Sequence, residues 1–343
     1  MGLVERVIPQ PSEAQQDEAL RAASEHLVRN GVTTVHDMSY DWQGLATYRR
    51  AHARGELMTR IYANVPIADW ERLSAEIDAN GTGDEWLRIG GVKGFMDGSL
   101  GSHTAAFFED FADTPGERGF FITAPVTMRE MALAADMRGL QLNIHAIGDR
   151  ANAALLDIFA AVEERNGSRD RRPRIEHAQH LNPELIDRIA RQRVIPSMQP
   201  YHAIDDGRWA DKVIGSDRAR YTYAFRSLLD AGATLAFGSD WSVAPAIPLQ
   251  GIHAAVTRQT LDGEHPGGWV PGEKISVEEA LAAYTRNGAY ASAEEDQKGS
   301  LAPGKLADLV IIDRDILTEP LATLGEARVE RTVVGGRTVY KRP

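Results

Sequence analysis

The sequence predicts an α/β fold of the TIM, or (β/α)8, barrel type. Three observations point there. Apolar β-rich runs alternate with amphipathic helical runs over most of the 343 residues. No glycine-rich phosphate loop follows the first strand, as an open doubly wound sheet would ordinarily show. Several strand runs also end in ionisable residues, and the strand ends of a barrel converge on one face.

The elements follow in order. The helix "SEAQQDEALRAASEHLVRN" opens on a capping serine, Ser12, and closes at Gly31. The strand "VTTVHDM", which holds His36, follows. "RIYANVPI" is the next strand, and the helix "WERLSAEIDAN" leads to "IGGVKGFMDG", which carries Lys93. After the helix "TMREMALAADMRG" comes "LQLNIHAIG", where Leu140, Leu142 and Ile144 share an apolar face and His145 stands at the tip. The helical run "RANAALLDIFAAVEE" precedes "RPRIEHAQ", which ends its apolar stretch on His177. "NPELIDRIARQ" is a helix, "RVIPSMQP" a strand, "AFRSLLDAG" a helix ending on Gly232, and "ATLAFGSD" a strand that finishes on Asp240.

These strands number seven, whereas a closed barrel needs eight, so the expectation is a barrel missing its first strand. Beyond the helix "SVEEALAAYTRNGAYAS" the texture changes. "KGSLAPGKLADLVIID" and "VERTVVGGRTVYKR" read as short strands, and Gly335-Gly336 supplies the positive φ values of a tight hairpin turn. Residues 1–291 are therefore expected to form the barrel, and 292–343 a small C-terminal β-sandwich appendage.

Composition narrows the function. Hydrophobic residues at 43% and charged residues at 25% describe a soluble protein with a sizeable core. The net charge of −11 argues against nucleic acid or an anionic membrane as partner, since both need basic surface. Arg171, Arg172 and Arg174 cluster, but a solvated loop before a strand explains them. The absence of cysteine excludes disulfides, thiolate metal sites and cysteine nucleophiles. With no apolar signal region and no membrane-length run, a cytoplasmic location is expected.

Lys93, His145, His177 and Asp240 thus lie on four different strands, at or near the ends that a barrel brings together. Each has an ordinary explanation alone: a hydrogen-bonded rim histidine, an aspartate capping a helix, a lysine reaching solvent. Jointly they suit a divalent ion, for which imidazole and carboxylate are ligands. His36 could face the same site, and His180 and His202, in loops after strands, could touch substrate. Asp149 reads as the N-terminal residue of a helix. His26, His52, His253 and His265 read as helix or surface residues.

The segments "GVTTVHD", "VKGFMDGSLGSHTA", "NIHAIGDRA", "IEHAQ", "FGSDWSV" and "GSLAPGKLADLVIID" together resemble the YtcJ-like (amidohydrolase 3) branch of the amidohydrolase superfamily. The resemblance implies a distorted barrel whose metal centre hydrolyses non-peptide C–N bonds in a small amide, formamide or cyclic amide. It implies His145, His177 and Asp240 as metal ligands, with Asp240 also the general base. Lys93 takes the place of a lysine that carries a CO2-derived carbamate, and Asp97 and His103 line the substrate pocket. Zinc is the expected ion. Such an ion brings the pKa of a bound water from 15.7 to roughly 7.

The chain departs from that pattern in one respect. The family's His-x-His pair is absent, since no two histidines here are two residues apart. One ion is therefore expected rather than two. An alternative is a catalytically impaired chain that binds a ligand or associates with other subunits, and an esterase on the same scaffold is a third reading. Open barrel edges would favour a homo-oligomer.

Overall fold

The structure, a computed structural model, describes residues 9–38 and 41–343, so the first eight residues of the expected barrel segment lie outside it. Seven parallel strands form one sheet in simple sequence order: β1 (Thr34–Asp37), β2 (Arg60–Pro66), β3 (Leu87–Phe95), β4 (Gln141–Ala146), β5 (Arg174–His177), β6 (Ile195–Met198) and β7 (Ala236–Phe237). Every strand expected from the sequence is present. Outward-facing Ile61, Val65, Val92, Leu142, Ile144 and Ile175 are buried. They belong to the same apolar core as Leu155, Leu156 and Phe159 of the helix Asp149–Asn166.

The opposite face of the sheet is polar. On alternate positions it presents Tyr62, Asn64, Gln141, Asn143, Arg174 and Ser197, which bond one another across the strands. Tyr62 donates to Gln141 at 3.0 Å, Asn143 to Asn64 at 2.7 Å and Arg174 to Ser197 at 2.9 Å. Gly91 makes room for this layer, because a Cβ there would stand 1.9 Å from Asn64 Oδ1. The arginine trio is consequently not a solvated loop. Arg174 lies inside the sheet's concave face at 3% exposure. Arg171 pairs with Asp136 and Glu163, and Arg172 grips Glu295 through two 2.7 Å bonds.

The first helix, Glu13–Arg29, begins on a Ser12–Gln15 capping box. It lies against a second sheet, antiparallel, of β8 (Leu309–Ile312), β9 (Val329–Val334) and β10 (Arg337–Lys341). The expected hairpin is there, with Gly335 and Gly336 at φ 57° and 76° between β9 and β10. Among the described residues this sheet has three strands, and the first helix supplies its covering layer. Thr332 donates to the Val28 carbonyl at 2.6 Å, and a Cβ on Gly31 would press to 3.0 Å from Val310. Buried Arg60, at the start of β2, holds Asp308 through bonds of 2.7 and 3.0 Å. Arg88 and Gln141, at or near the starts of β3 and β4, bond the carbonyls of Ser292 and Ala291. The segment between the two sheets therefore crosses the N-terminal ends of the strands and leaves their C-terminal ends free. No helix among the described residues is long and apolar enough to cross a membrane.

Candidate metal centre

Two strand tips break the regular backbone. By alternation from Ile175, His177 would face the helices, but its φ of 80° re-aims the side chain, and Ala178 follows at 44°. Asp240 stands three residues past the end of β7, also left-handed at φ 55°. Aspartate and histidine are both among the side chains that enter that region more readily than most, though it remains uncommon for either.

The ligand atoms of His177, His202 and Asp240 lie within 4.8 Å of one another. The His145 ring meets the His177 ring edge-on with centroids 4.6 Å apart. Lys93, 5% exposed, is the amine of this group; its Nζ lies 4.9 Å from the centre of the Phe95 ring. Burial draws Lys93 down to about 8, against the upward pull of the Glu176 and Asp240 carboxylates. Burial also holds His177 well below the usual imidazole range, with His145, Lys93 and His202 adding to the effect. His202 is drawn to about 4, mainly by burial. Both rings are neutral at pH 7, which is the form that ligates a metal.

The donor set fits a borderline divalent ion. Two neutral imidazoles and a carboxylate are the ligand types and number of many catalytic zinc sites. His202 Nε2 is buried without a hydrogen-bond partner among the described residues, although buried polar atoms are nearly always paired. His177 uses only Nδ1 internally, on Gln199 Oε1 at 2.8 Å. His145 Nε2 lies 2.9 Å from the Gly98 carbonyl. That carbonyl can only accept, so Nε2 carries a proton there.

Three sequence expectations change. Asp97 does not line a pocket: it is fully buried, and its carboxylate accepts from the backbone N–H groups of Ala106, Ile147 and Gly148 at 2.8–3.0 Å. It ties the β3 and β4 loops together and stands 3.4 Å from His145 Nε2. His103 turns onto its own loop, 3.0 Å from both Asp113 oxygens and against the Phe111 ring. His36 accepts from Arg174 at 2.8 Å and belongs to the interior layer. It is level with Tyr62 on β2, whereas Lys93 is level with Pro66, four residues further and roughly 13 Å along the strand. Two other histidine-region readings also resolve. His180 is buried with both ring nitrogens engaged, by Gln179 and Thr222. Asp149 opens its helix as expected and accepts from Phe108 N–H.

Sequence reasoning gave His202 to substrate rather than to the donor cluster. The missed signal is "QPYH": Pro200 starts a short helix, Pro200–Asp206, at the tip of β6, and one turn brings His202 back over His177. Gln199, whose carboxamide meets His177, gives no such signal in the sequence.

The amidohydrolase family model matches residues 1–340. Protein LONG AFTER FAR-RED 3 of Arabidopsis thaliana is 40% identical over 99% of this chain and 60% of its own length. Putative amidohydrolase YtcJ of Bacillus subtilis is 29% identical over 99% of this chain and 64% of its own. N-substituted formamide deformylase of Arthrobacter pascens is 28% identical over 95% and 60%. An uncharacterized metal-dependent hydrolase from Pyrococcus horikoshii superimposes with a TM-score of 0.82 at 29% identity, covering 91% of this chain and 62% of that one. The chain thus spans about three fifths of the length of the relatives it matches. With the fold, the order of its strand-tip motifs and the family match in agreement, the chain belongs to the amidohydrolase family, in its YtcJ-like branch.

Proposed function

We propose that this chain is a metal-dependent amidohydrolase that cleaves a non-peptide C–N bond in a small amide, with an N-substituted formamide as the first candidate. The observation that carries the reading is the convergence of His177, His202 and Asp240 at the C-terminal ends of the strands, with His145 and Lys93 beside them. The name of the Arthrobacter relative, N-substituted formamide deformylase, supports the bond class.

In this reading one divalent ion, most simply zinc, is held by His177, His202 and Asp240, with His145 and Lys93 bordering the same point. Such an ion supplies Lewis acidity, polarising a carbonyl and acidifying a water. Asp240 takes the proton of the attacking water and returns it to the leaving nitrogen, so that the amine departs neutral. Lys93 is suited to add CO2, because an amine drawn down to about 8 keeps a useful neutral fraction at physiological pH. The N–C bond forms at Nζ as one N–H proton is lost, and an anionic carbamate results.

The test is hydrolysis by purified protein of N-substituted formamides, N-acyl amines, cyclic amides, dipeptides and esters, with zinc or manganese and with chelator. Metal-dependent amine release from the formamides is expected. Cleavage of dipeptides or esters alone would overturn the bond class, and no turnover with either metal would overturn the activity. The second reading, a non-catalytic chain that associates with other subunits, rests on β1 and β7, each paired on one side only among the described residues. Silence in the assay together with a dimeric mass in solution would favour it.

A further inference from the structure

We infer that Gln199 is a positioning residue: its side chain fixes His177 in the one tautomer whose Nε2 carries a lone pair toward the metal site. The inference rests on the metal-binding reading above and adds to it the residue that prepares the ligand. It follows from donors and acceptors. Gln199 is buried, and its carboxamide orientation is set by its own Nε2, which donates to the Ser197 carbonyl at 3.1 Å. A carbonyl oxygen accepts only, so the amide nitrogen belongs at that end and Oε1 at the other. Oε1 lies 2.8 Å from His177 Nδ1. Nδ1 must then be the protonated nitrogen, and a neutral ring with its proton there has its lone pair on Nε2. The reverse tautomer would set two lone pairs against each other in a buried site.

Position in the chain extends the argument. Gln199 immediately follows β6, and its own carbonyl accepts from His202 N–H at 3.1 Å in the turn that opens the next helix. One residue therefore orients His177 through its side chain and seats His202 through its backbone. A hydrogen-bond partner that fixes the tautomer of a ligating histidine is typically worth about 10–100-fold in metal affinity. Among the described residues no other side-chain acceptor is bonded to His177 Nδ1.

The experiment has two independent readouts. In metal-free protein, nitrogen-15 NMR of the imidazoles should show His177 with its proton on Nδ1; a proton on Nε2 would overturn the inference even if Gln199 variants fail to fold. Calorimetric titration with zinc should then give Gln199→Leu a dissociation constant about 10–100-fold weaker than the unmodified protein. Gln199→Glu, which keeps an acceptor facing Nδ1, should recover most of that loss. Equal affinity in the Leu variant would overturn the inference. If the unmodified protein takes up no zinc, the metal reading fails by itself, and the tautomer measurement still decides the role of Gln199.

Discussion

His36, deep in the barrel, and His177, at its mouth, are both neutral imidazoles on the concave side of one sheet, and they are satisfied differently. His36 accepts from Arg174, which also donates to Ser197 and pairs with Glu176 at 2.8 Å, while Asn64 and Asn143 close on each other beside it. In this lower layer the side chains mostly meet protein partners. At the mouth, His177, His202 and Asp240 converge, yet His202 Nε2 has no partner among the described residues. Buried polar groups left open are costly, and they persist where something else completes them. The comparison teaches that residue type alone does not mark a site. Neither does a single open valence, since Asn143 Oδ1 and Glu176 Oε1 in the lower layer are also without a hydrogen bond among the described residues. The convergence of several ligand atoms does.

The largest effect that could break this contrast is catalytic. Asp240→Asn keeps the size of the side chain and removes the proton acceptor, so formamide hydrolysis should fall about 10²–10⁴-fold. Its urea midpoint should stay near that of the unmodified protein, because Asp240 lies beyond the last strand residue. Unchanged turnover would leave the mouth without a proton shuttle.

Next in size is metal affinity. His202→Ala removes one of three converging donors and should weaken zinc binding by more than the 10–100-fold that an outer partner costs. His36→Gln should leave zinc binding where it was. If the two variants lose affinity alike, the layers are not separate and the interior network itself shapes the site.

Asp97 tests the boundary between them. Asp97→Ala strips a buried charged acceptor from three backbone N–H groups, and chemical unfolding should show a loss of about 3 kcal/mol. A variant that unfolds normally and loses only substrate affinity would restore Asp97 to the pocket wall.

How much of this was readable in the sequence follows from the same contrast. The seven strands were legible because their outward residues, such as Leu142, Ile144 and Ile175, are apolar and regularly spaced. The inward polar residues were equally visible in "QLNIH" and "RIEH", but alternation alone reads them as a solvated face. Only the curl of the sheet makes them an interior. Lys93, His145, His177 and Asp240 stood out because imidazole, amine and carboxylate at strand ends carry chemistry of their own. Gln199 carries none; its role exists only across the β5–β6 gap, where its carboxamide meets a ring 22 positions earlier. Asp97 misled for the opposite reason, since a carboxylate in a glycine-rich loop looks available until its oxygens are seen to be filled.

The smallest effect is a pH dependence carried by a satisfied histidine. His180 accepts from the Gln179 amide at Nε2, 3.1 Å away, so its ring proton sits on Nδ1 and is directed at Thr222 Oγ1, 2.9 Å distant. A second proton would have to enter on Nε2, against the Gln179 amide hydrogens. Burial pushes the ring down to about 3, with the Arg218 charge adding to it. In the unfolded chain the same ring titrates near 6.5. Between those values the unfolded state holds one more proton than the native state at this position, so stability rises with pH. The contribution is complete above about 6.5 and drains away as pH falls toward 3, at roughly 1.4 kcal/mol per pH unit. Urea unfolding of the unmodified protein and of His180→Gln, compared from pH 7 to pH 5, should therefore give a shallower slope in the variant by up to that amount. Identical slopes would mean that His180 takes up its second proton alike in the native and unfolded states, against its two ring hydrogen bonds. The distinction between filled and open imidazoles would then lose its best-satisfied example.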